Sequence, residues 1–166
     1  LMSNFDLEAP RTKAPIPSWN LGIVLEYLRK SPFEPLKLAS LKHLTLKTTF
    51  LIALATGLRR SEIHALLYSD QYCRINHERK IATLHFCQSF LKKNRKATES
   101  NPPIHVPAIP DDHILCPVRA LNYYKKGTQD FNIRKGRVKL FVPYKISSAK
   151  SENITDHHFK MDRQGY

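Results

Sequence analysis

The chain has 166 residues, a length that fits one domain, and 42% of them are hydrophobic, which excludes wholesale disorder. Its 27 Lys and Arg against 14 Asp and Glu leave a net charge of +13. That charge favours a polyanionic partner, nucleic acid most simply, over a basic protein with none. No apolar run approaches the roughly 20 residues of a membrane-spanning helix, and no basic-then-apolar leader opens the chain. No membrane partner is expected. The sequence opens on Leu1 rather than Met, which reads as a fragment.

Residues 1–17 are polar, carry three prolines and read as an arm or linker. Ser18 can cap a helix running to about Lys30, with Leu21, Val24, Leu25 and Leu28 on one face. Ser31-Pro32-Phe33-Glu34-Pro35 ends it. A second helix is predicted from about Leu38 to Thr56, with a break near His43. Its segment Phe50 to Ala55 is apolar all round, the pattern of a buried helix, and Gly57 stops it. Ser61 is the expected cap of a short third helix reaching about Leu67.

Strand-like content follows at Tyr72 to Ile75 and Ile81 to Phe86, around the polar turn Asn76 to Lys80. The basic connector Lys92-Lys93-Asn94-Arg95-Lys96 leads to a third strand at Ile104 to Val106. Pro117 to Lys126 reads as a helix with Gly127 just past its end. Val138 to Val142 reads as a short strand or extended segment, and residues 147–166 as a polar tail. These elements sum to an α+β fold, mainly helical with a small three-stranded antiparallel sheet on one side.

Cys73, Cys87 and Cys116 are widely spaced and form no C-x-x-C pair, which argues against a zinc knuckle. Reduced thiols in an intracellular protein are the natural reading. The eight histidines show no H-x-x-x-H pair, so no metal site is expected.

The most informative segment is Lys47 to Leu66. A buried helix ends at a glycine, an arginine sits in the tight junction, and a new helix begins. Such a corner can hold a guanidinium rigidly, and its planar fork of permanently charged donors suits a phosphate. A helix–turn–helix corner with solvated arginines gives the same pattern.

Ala55-Thr56-Gly57-Leu58-Arg59-Arg60-Ser61-Glu62-Ile63 resembles the first box of the tyrosine recombinase (phage integrase) family. The wider run resembles the recombinase domains of eukaryotic DIRS-like mobile elements. Pro32-Phe33-Glu34-Pro35-Leu36, Leu115-Cys116-Pro117-Val118-Arg119-Ala120-Leu121 and Leu140-Phe141-Val142 extend the resemblance from Trp19 to Lys145. It implies that residues 18–146 are the N-terminal half of a recombinase catalytic domain acting in DNA recombination and integration. The partners it implies are DNA and other recombinase subunits, and the location nuclear in a eukaryote.

In that family a tyrosine attacks a DNA phosphodiester and forms a 3′-phosphotyrosyl link, releasing a 5′-hydroxyl. No metal, ATP or other cofactor is needed, because the bond energy stays in the covalent intermediate. Fixed cations stabilise the charge gathering on the phosphate oxygens. By resemblance Arg59 is the first catalytic arginine, Arg60 fills a variable position as a DNA contact, and Glu62 braces the corner. The family's general-acid lysine maps to the connector, best to Lys93, with Lys92 and Lys96 as rivals. The connector's cations, Arg95 among them, also suit a simple grip on the DNA backbone or a solvated loop.

The chain departs from the family after Val142. The expected His-x-x-Arg box and later nucleophilic tyrosine have no match. His158 to Arg163 is five residues rather than three, His157 to Lys160 has the step but not the arginine, and Tyr166 follows Arg163 too closely. The expectation is therefore a DNA-binding fragment without strand cleavage of its own. A non-enzymatic nucleic-acid-binding protein is the alternative.

Overall fold

The computed structural model describes residues 19–78, 80–90, 101–135 and 138–141. The arm 1–17, the connector cations and the tail 147–166 lie outside the described residues. The fold is α+β, with four helices and one three-stranded antiparallel sheet among the described residues.

Helix α1, Leu21–Leu28, is capped by Asn20, whose Oδ1 accepts the Gly22 N–H at 2.8 Å. The expected cap, Ser18, lies outside the described residues. Helix α2, Leu41–Thr56, starts at its cap Ser40 and runs without a break at His43. The His43 N–H donates to Ser40 Oγ, and the ring Nδ1 lies 2.8 Å from the same hydroxyl. His43 thus belongs to the helix start and does not interrupt it.

The end of α2 is not buried all round, contrary to its composition. Leu51 and Ile52 are buried, but Leu54 is 47% exposed and Ala55 is also exposed. One face packs inward and the other stays open.

Strands β1 (Cys73–Asn76), β2 (Ile81–Leu84) and β3 (Ile104–Pro107) pair in the order β1-β2-β3, antiparallel throughout. Alternation sets the faces. Cys73, Ala82, Leu84 and Val106 point inward, all fully buried. They meet Ile52 of α2 and Leu121 of α4 in the main core. The expected strand at 138–142 is, in the described part, a single bridge between Leu67 and Lys139. Flanking bonds run from Tyr68 N–H to Val138 O and from Leu140 N–H to Leu66 O.

Helix α4, Pro117–Lys135, continues past Gly127, where its end was expected. Tertiary contacts override the glycine's low propensity. A Cβ at Gly127 would stand 3.7 Å from Leu44 Cδ2 of α2, an ordinary van der Waals contact, so α4 lies against α2 at this turn. The next residue, Thr128, is fully buried, and its hydroxyl donates to Tyr124 O at 2.8 Å. Lys125 donates to Cys73 O at 2.7 Å, which ties the same turn to β1.

A buried ionic cluster joins α1, α2, α4 and the turn between the first two. Lys47, fully buried in α2, donates to Glu34 Oε1 at 2.5 Å and to Leu28 O at 2.8 Å. Arg119 of α4 forks onto the same carboxylate at 2.9 and 3.3 Å, and the Leu36 N–H donates to it at 3.2 Å. Burial opposes ionisation of Glu34, but the hydrogen bonds and charges of Arg119 and Lys47 outweigh it, holding the carboxyl below its usual range. Lys47 is pushed down too, by burial first, because it shares its single anion with Arg119. The favourable side of the pairing is therefore read on Glu34, which faces two cations.

Glu34→Ala should destabilise the fold by about 3–5 kcal/mol in urea unfolding, since it strands a buried ammonium. The pH dependence has a definite sign. A folded-state value below the unfolded one gives stability that is present at neutral pH and lost as pH falls through the folded value. Glu34→Gln should therefore start less stable at pH 7 and lose less on acidification from about pH 5 to 3. Parallel acid limbs for the two proteins would contradict this account.

Candidate nucleic-acid interface

The corner after α2 is built almost wholly from backbone geometry. Gly57 closes the helix with φ +67°, in the left-handed region, and its N–H donates to Ala53 O at 2.8 Å. Arg59 then turns extended, with φ −75° and ψ 161°, and is the N-cap of helix α3, Arg60–His64. Its carbonyl accepts the Ile63 N–H at 3.0 Å.

The Glu62 carboxylate reaches back and accepts the Arg59 N–H at 2.8 Å. This is the acidic half of a capping box, and Leu58 and Ile63 stand at the positions of a hydrophobic staple. Leu58 packs against the main core, and Ile63 is buried. The expected cap, Ser61, lies inside the helix as its second residue. Glu62 does the capping because Arg59 already has the extended cap conformation. Helix α3 is a single turn, ending at His64 rather than near Leu67, because residues 66 and 67 leave it for the bridges to Phe86 and Lys139.

The corner fixes the backbone of Arg59 and leaves the side chains of Arg59 and Arg60 exposed. Neither forms an ion pair within the described residues. The Glu62 carboxylate holds the backbone N–H of Arg59.

Lys92, Lys93, Arg95 and Lys96 lie outside the described residues. The two ends of their segment are described. Beyond β2, Phe86 bridges Leu66, and the Cys87 N–H donates to Ala65 O at 2.9 Å, on the residue that closes α3. Phe90 stacks on Phe86 at 5.4 Å, and Asn101 Nδ2 donates to Phe90 O. The basic connector is thus rooted beside the end of α3.

The sheet adds residues that the search for motifs passed over. Arg74, Thr83 and His105 stand in one cross-strand row on the face turned away from the core. Strand alternation alone was the signal that could have found them, because Cys73, Ala82 and Val106 mark the opposite face.

Cys73 and Cys116 are buried, and burial pushes the Cys73 thiol up to about 11. No group of His, Cys, Asp and Glu that could hold a metal ion is found among the described residues. No helix among them is long and apolar enough to cross a membrane.

No family model, curated protein or solved structure matches the chain.

Gly57→Ala should cost about 1 kcal/mol, because its Cβ meets open space but its backbone is left-handed. Glu62→Ala should cost about 1 kcal/mol through loss of the cap. Thermal melting of both variants measures this, and unchanged midpoints would mean the corner is not held as described.

Proposed function

We propose that this chain is a DNA-binding part of a tyrosine recombinase catalytic domain, in which Arg59 contacts the DNA phosphodiester. The observation that carries the reading is the α2–α3 corner. A left-handed glycine and a carboxylate clamp hold the backbone of Arg59 while its guanidinium faces solvent. A preorganised cation of this kind stabilises negative charge on a phosphate without reorganising during reaction. The cations Lys92, Lys93, Arg95 and Lys96 in the sequence and the net charge of +13 support the same partner.

In this reading Glu62 positions Arg59 and Lys93 is the general acid for the leaving 5′ oxygen. Lys92, Arg60, Arg95 and Lys96 grip the backbone. The chemistry needs no cofactor, but it does need a His-x-x-Arg box and a nucleophilic tyrosine that the chain does not supply in the family's spacing. Other recombinase subunits are further partners, and the nucleus is the location in a eukaryotic cell.

Binding to a fluorescein-labelled duplex, followed by anisotropy, tests the reading. Affinity should fall steeply between about 50 and 200 mM salt, as counterion release requires. Arg59→Ala should weaken binding and make the salt slope shallower by about 0.9. Replacing Lys92, Lys93, Arg95 and Lys96 with Ala should weaken binding more than removing four cations from residues 1–30. Equal losses would leave only diffuse charge, and a flat salt response would overturn the phosphate account. The same protein should form no covalent adduct with a nicked duplex. Sequencing the transcript beyond the codon for Tyr166 tests for the missing box and tyrosine, in this or a shifted frame.

A further inference from the structure

The three-stranded sheet has one face in the core and one in solvent. The inward face is apolar and fully buried at Cys73, Ala82, Leu84 and Val106. On the other face Arg74 and His105 are exposed, so no described element covers it. The register sets Arg74 opposite Thr83 and Thr83 opposite His105, a row that crosses all three strands. Strand spacing makes that row about 10 Å wide.

The row holds one permanent cation, a hydroxyl and an imidazole. Thr83 Oγ1 lies 3.2 Å from His105 Nδ1, which orients the imidazole and leaves its other ring nitrogen pointing away from the threonine. Arg74 forms no ion pair within the described residues. In the neighbouring row the rings of Tyr72 and His85 meet edge to face at 6.2 Å. The strand sequences contain no acidic residue at all. The nearest carboxylate before β1, Asp70, is paired with Lys125 at 2.8 Å. Strands β2 and β3 also lead directly to Phe90 and Asn101, the two ends of the basic connector, so the face is continuous with that segment's root.

We propose that this open sheet face, centred on Arg74, Thr83 and His105, is a second contact surface for the DNA sugar–phosphate backbone. The proposal rests on the DNA-binding reading and extends the interface from the Arg59 corner onto the sheet. Charge complementarity selects the occupant: an arginine at one end of a row that continues through a hydroxyl and an imidazole, with no carboxylate in the strands, suits a phosphate chain. An acidic protein surface is the competing occupant, and it predicts no change in DNA binding when the face is altered.

The test is a salt titration of duplex binding by anisotropy, with melting temperatures recorded for each protein. Arg74→Ala, at an exposed position, should bind a few-fold more weakly at low salt, with a slope shallower by about 0.9. Thr83→Lys should do the reverse, binding a few-fold more tightly with a steeper slope, a gain that misfolding cannot produce. Lys30→Ala, at the end of α1, should keep the wild-type slope. If both sheet variants keep the wild-type slope while the connector variant does not, the sheet proposal is overturned and the DNA reading stands. If the wild-type protein fails to bind the duplex, both fall together.

Discussion

The contact on which the arrangement depends is the carboxylate of Glu34 between Lys47 and Arg119. Lys47 is fully buried in the middle of α2, on the same side as Leu44, Thr48 and Leu51. An ammonium there is tolerable only if an anion and further acceptors come with it. Glu34 supplies the anion from the turn after α1, and Leu28 supplies a carbonyl from the end of α1. Arg119 completes the cluster from α4. Four segments separated in sequence are therefore fixed to one point. The arrangement is demanding, since removing Glu34 leaves both cations without their anion. A second pair repeats the device nearby, with Arg29 at the end of α1 on Asp112, which also accepts the Leu115 N–H just before α4.

Fixing α2 at its middle sets its rotation, and the rotation decides what its end presents. With Lys47, Thr48, Leu51 and Ile52 inward, the helix leaves Leu54 and Ala55 outward and delivers Gly57 to the surface. The corner then needs only local chemistry: a left-handed glycine, a half-buried Leu58 and the Glu62 clamp. A long, costly ionic cluster and a short, inexpensive cap thus act in series. The first sets where the corner lies and the second sets how its backbone turns. Arg59 gives the cap its backbone, and the guanidinium groups of Arg59 and Arg60 form no ion pair within the described residues, which leaves them available.

The legible part of the fold was the part governed by local pattern. The hydrophobic face of α1, the stop at Gly57 and the three strands were all readable, because periodicity and turn residues are local signals. Gly127 misled because glycine is a usual helix stop, whereas here α4 continues through a turn that Lys125 ties to Cys73 O of β1. Phe50 to Ala55 misled because an all-apolar segment looks the same whether or not both sides are covered. Ser61 was preferred as a cap by residue type, when the clamp came from a carboxylate three residues after Arg59. The pairing of Lys47 with Glu34 carried no signal of its own. A lysine in a helix and a glutamate in a turn read as solvent-exposed until distant segments bring them together. The corner at Arg59 was legible from its residues, while the row of Arg74, Thr83 and His105 needed the strand register.

Net charge says how many cations exceed the anions but not where the excess sits. The ion pairs decide that. Glu34, Asp112 and Asp70 each hold cations from Lys47, Arg119, Arg29 and Lys125, which join the helices to one another and to the loops. Acidic groups spent on such joints cannot neutralise the outer surface. Arg59, Arg60 and Arg74 are exposed and form no ion pairs within the described residues. A short-range balance in the interior and a positive field outside follow from the same sequence. The partition has an energetic logic: pairing in the interior avoids buried lone charges, and outward cations are free to neutralise phosphates and so release the counterions condensed on a polyanion.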